Sequence, residues 1–186
     1  MVKTAIFISG RGSNLLSLIK FSKKKNSLIN ICLIVSNKKN AAGLNYAKKF
    51  KIPILVTSFV NKNFSEMKIL KKIDFLKIDL ICLAGFMKIL SHKFIKNFRK
   101  PILNIHPSLL PKYKGLNTHK RVIKNKEKFT GATVHMVSKK LDSGKIILQK
   151  KIHISKNDNE KTIKKKVLLI EHKLYPRAIQ KFLTNL

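Results

Sequence analysis

Short apolar runs recur along the chain and alternate with segments whose apolar residues are spaced as on a helix. The runs cover residues 5–9, 29–35, 52–56, 80–84 and 102–105 and are rich in isoleucine, leucine and valine. Apolar runs of this length, bounded by polar or turn-forming residues, are typical of buried strands. Strands that alternate with helices predict βαβ units around a parallel sheet.

Two of the intervening segments carry apolar residues at helical spacing. These residues are Leu15, Leu16, Leu18 and Ile19 in the first segment and Met67, Leu70, Ile73 and Leu76 in the second. Ser65 precedes the second group, and a serine in this position often accepts a hydrogen bond from the backbone of the first helical turn. We therefore predict that Ser65 is the N-cap of that helix.

The pattern changes after about residue 130. Residues 133–137 and 145–154 have the composition of strands, and the connection SKKLDSG between them indicates an antiparallel addition. A final helix is predicted from about Asn159, with an apolar stripe of Ile163, Val167, Ile170 and Leu174. The sequence thus predicts an α/β fold with a mostly parallel sheet. Because no internal repeat or linker-like stretch is present, we predict a single domain over residues 1–186.

Charge is the most unusual property of this 186-residue chain, because 41 basic and 8 acidic residues give a formal net charge of +33. Such a charge is typical of proteins that bind nucleic acid or anionic membranes. However, only Arg11, Arg99, Arg121 and Arg177 are arginines, the residue best suited to phosphate recognition, and the lysines are spread over the whole length. We therefore favour a general lysine-rich surface without a specific nucleic-acid partner, and expect its field to attract anionic substrates.

The sequence favours a cytoplasmic protein that does not bind a membrane. Its longest apolar stretch, residues 80–87, is far shorter than the roughly 20 residues that a membrane helix needs. The first residues lack the cleavage site of a signal peptide. Cys32 and Cys82 each lie in an apolar run, which favours buried thiols in a reducing compartment.

The motif ISGRGSNLL at residues 8–16 lies between the first predicted strand and the first predicted helix. Its two glycines allow a tight turn, and the helix N-terminus offers N–H groups to an anion. Leu15 occupies the position where a dinucleotide motif has its third glycine, and no Walker motif is present. Ser13 and Asn14 instead suit a single phosphate monoester. The alternative is an ordinary strand–helix turn in which Ser13 caps the helix.

The stretch LNIHPSLLPKYKG at residues 103–115 ends an apolar run with Asn104 and His106. On a strand, side chains two residues apart leave the same face, and Pro107 cannot continue the hydrogen bonding of the strand. An amide can stabilise an oxyanion while an imidazole transfers a proton. We therefore predict a catalytic pair at the carboxyl end of this strand, where parallel sheets bind ligands. A structural role for His106 is the alternative.

Two of the eight acidic residues are candidates for a functional role. Asp142, between the last two predicted strands, is either a turn residue or a carboxylate that raises the pKa of His106. Glu171 lies in the final helix, where a solvated face is the usual explanation. His135 alternates within an apolar strand and is interpreted as a satisfied interior residue. Because the histidines have no metal-ligand spacing with each other or with cysteine, no metal site is predicted.

Taken together, several stretches resemble the phosphoribosylglycinamide formyltransferases, the folate-dependent enzymes of purine synthesis. The stretches are ISGRGSNL, LAGFMKILS, LNIHPSLLPKYKGLNTH, GATVHMV, LDSGKIILQ and EHKLYP, which occur in the order of that family and span residues 8–176. HPSLLP is shared with other formyl-folate enzymes, and SGRGSN is the more discriminating motif. The resemblance implies a Rossmann-like, three-layer α/β/α fold with a mostly parallel sheet of about seven strands.

The resemblance also implies a reaction. The amine of glycinamide ribonucleotide would attack the formyl carbon of 10-formyltetrahydrofolate and form a tetrahedral intermediate, without a covalent nucleophile or a metal. Asn104 matches the residue that hydrogen-bonds the oxyanion, His106 matches the proton-transfer residue, and Asp142 matches the carboxylate that tunes it. These two small molecules are the expected partners, and a monomer or weak homodimer is the expected state.

Substrate-binding residues follow from the same motifs. Gly12, Ser13 and Asn14 match the phosphate cradle of the family, and Glu171 matches the acid that holds the ribonucleotide. The folate-binding residues implied by the resemblance are Lys62, Met87, Lys88, Ile89, Leu90, Asn104, Ser138, Lys139, Lys140 and Leu141. Lys62 and Lys88 stand where arginine is frequent in the family. Lysine keeps the positive charge for a glutamate tail but loses the bidentate geometry.

Other classes of protein fit the sequence less well. Methionyl-tRNA formyltransferases normally have a further C-terminal domain and a different first loop, and formyltetrahydrofolate hydrolases usually have an N-terminal regulatory domain. We expect neither domain in this protein. A non-enzymatic nucleic-acid-binding protein would leave the glycine loop and the Asn104–His106 pair unexplained. An inactive remnant would not be expected to retain both of these residues together with Asp142.

Overall fold

A computed structural model describes residues 1–185. In chain order its elements are β1 (Val2–Ile8), α1 (Ser13–Ser22), β2 (Ile29–Ser36), α2 (Leu44–Lys49), β3 (Ile54–Val56), α3 (Lys62–Phe75), β4 (Leu80–Leu83), α4 (His92–Phe98), β5 (Ile102–His106), α5 (Thr118–Lys124), β6 (Phe129–Met136), β7 (Ile146–His153) and α6 (Glu160–Thr184). The strands form one seven-stranded sheet in the order β3-β2-β1-β4-β5-β6-β7. The predicted α/β class, with an antiparallel C-terminal addition, is confirmed.

The chain divides into two compact units, Met1–Leu103 and Asn104–Leu186, and the division lies inside β5. In the first unit, β1 pairs in parallel with β2 on one side and with β4 on the other, and β2 pairs in parallel with β3. The order of the strands therefore reverses at β1. In open α/β sheets, ligands bind beyond the carboxyl ends of the strands at such a reversal. The single-domain organisation stays a prediction.

Two glycines bring the loop after β1 into backbone contact with the turn before α2. Gly12 has a φ of 74°, in the left-handed region that favours glycine. A Cβ atom on Gly12 would lie 2.5 Å from the Cα of Gly43. In addition, the N–H of Gly43 donates to the carbonyl of Gly10 at 3.0 Å. The packing of the loop therefore requires glycine at position 12.

We expect Gly12→Ala to lower the free energy of unfolding by about 1–2 kcal/mol through the left-handed backbone alone, and by more because of the contact with Gly43. Gly10→Ala is the matched control, because a Cβ atom there would have no heavy atom of another segment within 4 Å. Urea denaturation of both variants measures the difference. Equal stability of the two variants would contradict the packing requirement at Gly12.

The second unit is built on the antiparallel pair of β6 and β7, with α6 packed against both strands. The register of the pair shifts between Val134 and His135. As predicted, α6 begins after Asn159, which forms a reciprocal capping box with Thr162. This cap satisfies two backbone N–H groups at the helix start and thereby fixes where α6 begins.

The buried stripe of α6 differs from the predicted one at a single position. Ile163, Val167 and Leu174 are buried as predicted, whereas Ile170 is only half-buried. The neighbouring residue Glu171 is buried instead. An apolar pattern cannot predict a carboxylate on the buried face of a helix, because burial of a charge depends on specific partners.

The start of α3 also differs from the prediction. Its N-cap is Asn61, whose side chain accepts a hydrogen bond from the N–H of Phe64. Ser65 lies inside the helix, where its buried hydroxyl accepts hydrogen bonds from the Thr57 hydroxyl and the Phe59 N–H. The prediction of Ser65 as the cap was therefore wrong, because the side chain serves a tertiary contact.

The buried face of α3 agrees with the predicted stripe only in part. Ile73 is buried as predicted, whereas Met67 is 47% exposed and Leu70 and Leu76 are half-buried. The other buried residues are Ser65, Glu66 and Ile69. Two of these three are polar, and apolar spacing alone cannot place polar residues on a buried face.

The predictions of buried thiols and of no membrane helix can be compared with the structure. Cys82 is buried as predicted, whereas Cys32 is only half-buried, and within the described residues neither forms a disulfide. No helix in residues 1–185 is both long enough and apolar enough to cross a membrane.

Candidate active site

The carboxyl end of β5 positions the two side chains that the sequence singled out. Asn104 and His106 lie two residues apart on this strand, and His106 is buried. Their side chains reach His135 on β6 and Asp142 in the β6–β7 connection. The structure therefore brings together all three residues predicted to be catalytic and adds a fourth, His135.

A backbone carbonyl fixes the tautomer of His106. Its Nε2 lies 2.9 Å from the carbonyl oxygen of Tyr113. Because a carbonyl only accepts hydrogen bonds, Nε2 carries the hydrogen, and in the neutral ring the lone pair is on Nδ1. Nδ1 lies 3.4 Å from Oδ2 of Asp142. At this distance the carboxylate stabilises a proton gained by Nδ1 mainly through its charge.

The side chain of Asp142 is only 7% exposed and is oriented by the backbone. The N–H of Gly115 donates to Oδ2 at 2.9 Å, and Oδ1 lies 3.6 Å from Nε2 of His135. Asp142 has a φ of 46°, a left-handed conformation that aspartate adopts more readily than most residues. The two interpretations of Asp142 from the sequence therefore both hold, because it is a turn residue whose carboxylate lies beside His106.

His135 connects Asn104 with Asp142. Its Nδ1 lies 2.8 Å from the carbonyl oxygen of Met136, so Nδ1 carries the hydrogen in the neutral ring and Nε2 is an acceptor. Nε2 lies 3.2 Å from Nδ2 of Asn104. One N–H of the Asn104 amide therefore donates to His135, which leaves the second for a substrate oxygen. His135 is an interior residue with satisfied nitrogens, as interpreted, but it also orients the amide.

Burial dominates the acid–base behaviour of His106. It lowers the pKa of the imidazole below its ordinary value, although the Tyr113 carbonyl and the Asp142 carboxylate oppose this change. The ring is therefore mainly neutral at neutral pH. Burial by itself would raise the pKa of Asp142, but His135 and His106, where they are protonated, and the N–H of Gly115 bring that pKa below its ordinary value. The carboxylate is therefore ionised beside a neutral ring.

The turn after β5 fixes Tyr113, whose carbonyl contacts His106. Tyr113 has a φ of 58°, and its hydroxyl donates to Glu127 at 2.8 Å. Asn125 donates to the same hydroxyl at 3.0 Å, and the Arg121 guanidinium lies 5.2 Å from the centre of the ring. These contacts hold the side chain of Tyr113 in place. They thereby also position its carbonyl, which fixes the tautomer of His106.

The predicted phosphate cradle lies at the start of α1, in the first unit. Its N-cap is Gly12, no side chain caps the helix, and Ser13 is the first helical residue. The alternative in which Ser13 caps the helix is therefore wrong. Because the first N–H groups of a helix have no partner within it, this end is suited to an anion. Asn14, the third predicted cradle residue, is buried.

Four predicted folate-binding residues lie in the segment after β4. Met87, Lys88 and Ile89 are exposed, whereas Leu90 is buried. Neighbouring exposed apolar side chains often mark a binding surface. Lys62, the predicted partner of the glutamate tail, is the first residue of α3, where the helix dipole also favours an anion.

The remaining predicted binding residues lie in the second unit. Ser138, Lys139, Lys140 and Leu141 form the part of the β6–β7 connection directly before Asp142. Glu171 on α6 is only 7% exposed, so the explanation of a solvated face is wrong. Within residues 1–185, no group of three or more His, Cys, Asp or Glu side chains is arranged to hold a metal ion.

Three residues that support these sites were not predicted to do so, namely His135, Tyr113 and Ser9, whose hydroxyl accepts a hydrogen bond from the N–H of Met87 at 2.8 Å. His135 alternates with apolar residues in GATVHMV, so its spacing indicated burial but not its neighbours. Tyr113 acts through its carbonyl, which no side-chain pattern reveals. Ser9 ends the first predicted strand directly before the glycine loop. A polar residue at this position could have indicated a role in the site.

A mostly parallel sheet with titratable side chains at the carboxyl end of one strand and a glycine loop at that of another is typical of α/β enzymes. Comparison with known proteins gives the family. The chain matches the formyl transferase family over residues 2–179 and belongs to it.

Curated relatives and a solved structure agree with this assignment. The chain is 43% identical over 187 residues to the phosphoribosylglycinamide formyltransferase of Haemophilus influenzae, covering 98% of this chain and 87% of the relative. It is 40% identical over 181 residues to the trifunctional purine biosynthetic protein adenosine-3 of Bos taurus, covering 96% of this chain but only 18% of that relative. The crystal structure of phosphoribosylglycinamide formyltransferase from Brucella melitensis matches with a TM-score of 0.92 at 41% identity, covering 97% of this chain and 95% of that one.

Proposed function

We propose that the protein transfers the formyl group of 10-formyltetrahydrofolate to the amine of glycinamide ribonucleotide. The observation that carries this proposal is the cluster in which Asn104, His135, Asp142 and His106 are linked in that order. The cluster supplies an amide donor for an oxyanion, a neutral imidazole and an ionised carboxylate, the groups that formyl transfer to an amine uses. The names of the relatives support formyl transfer to phosphoribosylglycinamide, which is glycinamide ribonucleotide. The identity of the formyl donor rests on the resemblance of the sequence motifs.

In the proposed reaction, the amine nitrogen forms a bond to the formyl carbon and the formyl oxygen becomes an oxyanion. The Asn104 amide donates to this oxygen, an interaction that is stronger in the transition state than in the ground state. Nδ1 of His106 accepts the proton that the attacking amine loses, and Asp142 stabilises the resulting imidazolium. The ring then gives the proton to N10 of the folate as the bond from carbon to N10 breaks.

The substrates are proposed to bind through the residues of the family motifs. Gly12, Ser13 and Asn14 bind the phosphate, and Glu171 binds polar groups of the ribonucleotide. Lys62 and the residues at 87–90 and 138–141 bind the folate. The net charge of +33 raises the local concentration of both anionic substrates near the protein. This attraction gives the lysine-rich surface a role that does not require a specific nucleic-acid partner.

A steady-state assay with purified protein and both substrates tests the proposed function. We expect one tetrahydrofolate and one formylated ribonucleotide per turnover, and no product when either substrate is omitted. A folded protein that forms neither product would contradict the proposal. Binding to duplex nucleic acid over a series of salt concentrations would then test the alternative, because phosphate contacts give a steep salt dependence.

Asp142→Asn is expected to lower kcat by about 10²-fold, the low end of what proton-transfer groups contribute, and to move the acid limb of the pH–rate profile to lower pH. The Asp142 carboxylate favours the imidazolium, so its loss lowers the pKa of His106 further. Because the reaction uses the neutral ring, activity falls as pH drops through this pKa, and a lower pKa shifts that fall downward. The pH dependence of kcat/KM measures the shift. An unmoved acid limb would contradict the coupling between the two residues.

A further inference from the structure

Buried polar side chains fix both ends of the segment at residues 87–90, in which the first three residues are exposed and Leu90 is buried. At one end, the Ser9 hydroxyl at the end of β1 accepts a hydrogen bond from the N–H of Met87 at 2.8 Å. At the other end, Glu66 on α3 accepts two hydrogen bonds from Ser91, one from the N–H at 2.7 Å and one from the hydroxyl. Ser9 and Glu66 are each only 4% exposed.

Glu66 has a specific reason to be buried. A buried carboxylate is costly unless donors satisfy it, and Ser91 satisfies both of its oxygens. The hydroxyl of Ser91 also caps α4 by accepting a hydrogen bond from the N–H of Phe94. One carboxylate therefore determines both where α4 begins and where the preceding segment ends.

Ser9 joins the ends of three strands. Its hydroxyl donates to Asn37, directly after β2, while it accepts from Met87 in the segment after β4. Because β1 lies between β2 and β4, this hydroxyl lies where the strand order reverses, the place where α/β sheets bind ligands. The next residue, Gly10, begins the glycine loop.

Between these anchors the segment has no regular structure of its own. It lies outside the helices and strands, and the side chains of Met87 and Ile89 are 62% and 65% exposed. Phe86, just before the segment, packs edge-to-face on Phe7 and Phe59. The shape of the segment therefore depends on Phe86 and on the anchors at Ser9 and Glu66.

We propose that Glu66 and Ser9 are positioning residues for the formyl donor, which hold residues 87–90 in the shape that binds the folate. This inference rests on the proposed function of the segment. We expect that removing the Glu66 anchor weakens folate binding, while kcat at saturating substrate and the affinity for the ribonucleotide change little. A residue with only a structural role would not produce this division between KM and kcat.

Glu66→Met and Glu66→Gln form a matched pair of variants. Methionine keeps the length of the side chain but leaves the Ser91 N–H without its acceptor, whereas glutamine keeps an acceptor oxygen. We expect the KM for 10-formyltetrahydrofolate and the Kd for tetrahydrofolate to rise about 10-fold in Glu66→Met, because a hydrogen bond to a charged group is lost. In Glu66→Gln the rise is expected to be less than about threefold. Calorimetric titration with tetrahydrofolate measures Kd without turnover, and titration with glycinamide ribonucleotide should give an unchanged Kd.

Ile69→Val controls for a general loss of stability in α3, because Ile69 is fully buried on the same helix and the substitution destabilises only mildly. It is expected to lower Tm without changing the Kd for tetrahydrofolate. If Glu66→Met does not fold, Ser9→Ala tests the other anchor and is expected to raise the same Kd.

Three results would overturn the inference. The first is a Glu66→Met variant that binds tetrahydrofolate as tightly as the parent. If Glu66→Met does not fold, the same result in Ser9→Ala counts instead. The second is an equal loss of affinity in Ile69→Val, which would show that helix stability alone matters. The third is a parent protein that neither binds tetrahydrofolate nor transfers the formyl group, which identifies a failure of the proposed function itself.

Discussion

His106→Ala is expected to lower the kcat of formyl transfer by about 10²–10⁴-fold, the range that a positioned proton-transfer group contributes. The variant loses Nδ1, the basic atom that lies 3.4 Å from the Asp142 carboxylate. No other side chain in the cluster replaces it, because Nε2 of His135 is already an acceptor for Asn104. The values of kcat and of KM for each substrate, measured side by side with the parent, check this result.

The alternative from the sequence, a structural role for His106, gives a different outcome. Loss of a structural histidine would lower Tm and disturb both KM values, whereas loss of the proton carrier lowers kcat in a folded protein. His153→Ala is the matched control, because His153 is an exposed histidine of the same unit that packs against Phe129. We expect its kcat to stay within about threefold of the parent. A His106→Ala variant with near-parental kcat would exclude His106 as the proton carrier.

Asn104→Ala is expected to lower kcat by about 10²–10³-fold, the loss measured when one oxyanion donor is removed from an enzyme. The amide is held by Nε2 of His135 at 3.2 Å, so its second N–H is oriented before the substrate arrives. Pre-orientation of this kind favours the transition state because no reorganisation is needed during the reaction. The kcat measured at saturating concentrations of both substrates checks the size of the effect.

The pH–rate profile separates the role of Asn104 from that of His106. An amide does not titrate, so Asn104→Ala should keep the acid limb near its parental position, in contrast to the shift expected in Asp142→Asn. Asn104 was also predicted to contact the folate. A variant whose KM for the formyl donor rises while kcat is unchanged would indicate a role in binding alone.

The strands and the catalytic pair could be predicted because their signals are local. Buried parallel strands consist of continuous apolar runs, so β1, β2, β4 and β5 lie within a few residues of their predicted positions. Asn104 and His106 share a face because of the two-residue repeat of a strand. The alternation of strands with helices then gave the fold class.

The rest of the site depends on contacts between segments far apart in the chain. Asp142 reaches His106 only because the β6–β7 connection and the turn at Gly115 meet, and no spacing in the sequence encodes that distance. The burial of Glu66 on α3 was not predicted for a related reason. Glu66 is buried because Ser91 donates to it, so a partner on another element decides its burial.

The contact between Nε2 of His106 and the Tyr113 carbonyl has a consequence for inhibitor chemistry. With one nitrogen occupied as a donor, the neutral ring offers a ligand only the lone pair on Nδ1. A compound aimed at this position should therefore carry a hydrogen-bond donor and no anionic group, because Asp142 repels a second negative charge. Its affinity should decline in acid, where protonated Nδ1 can no longer accept.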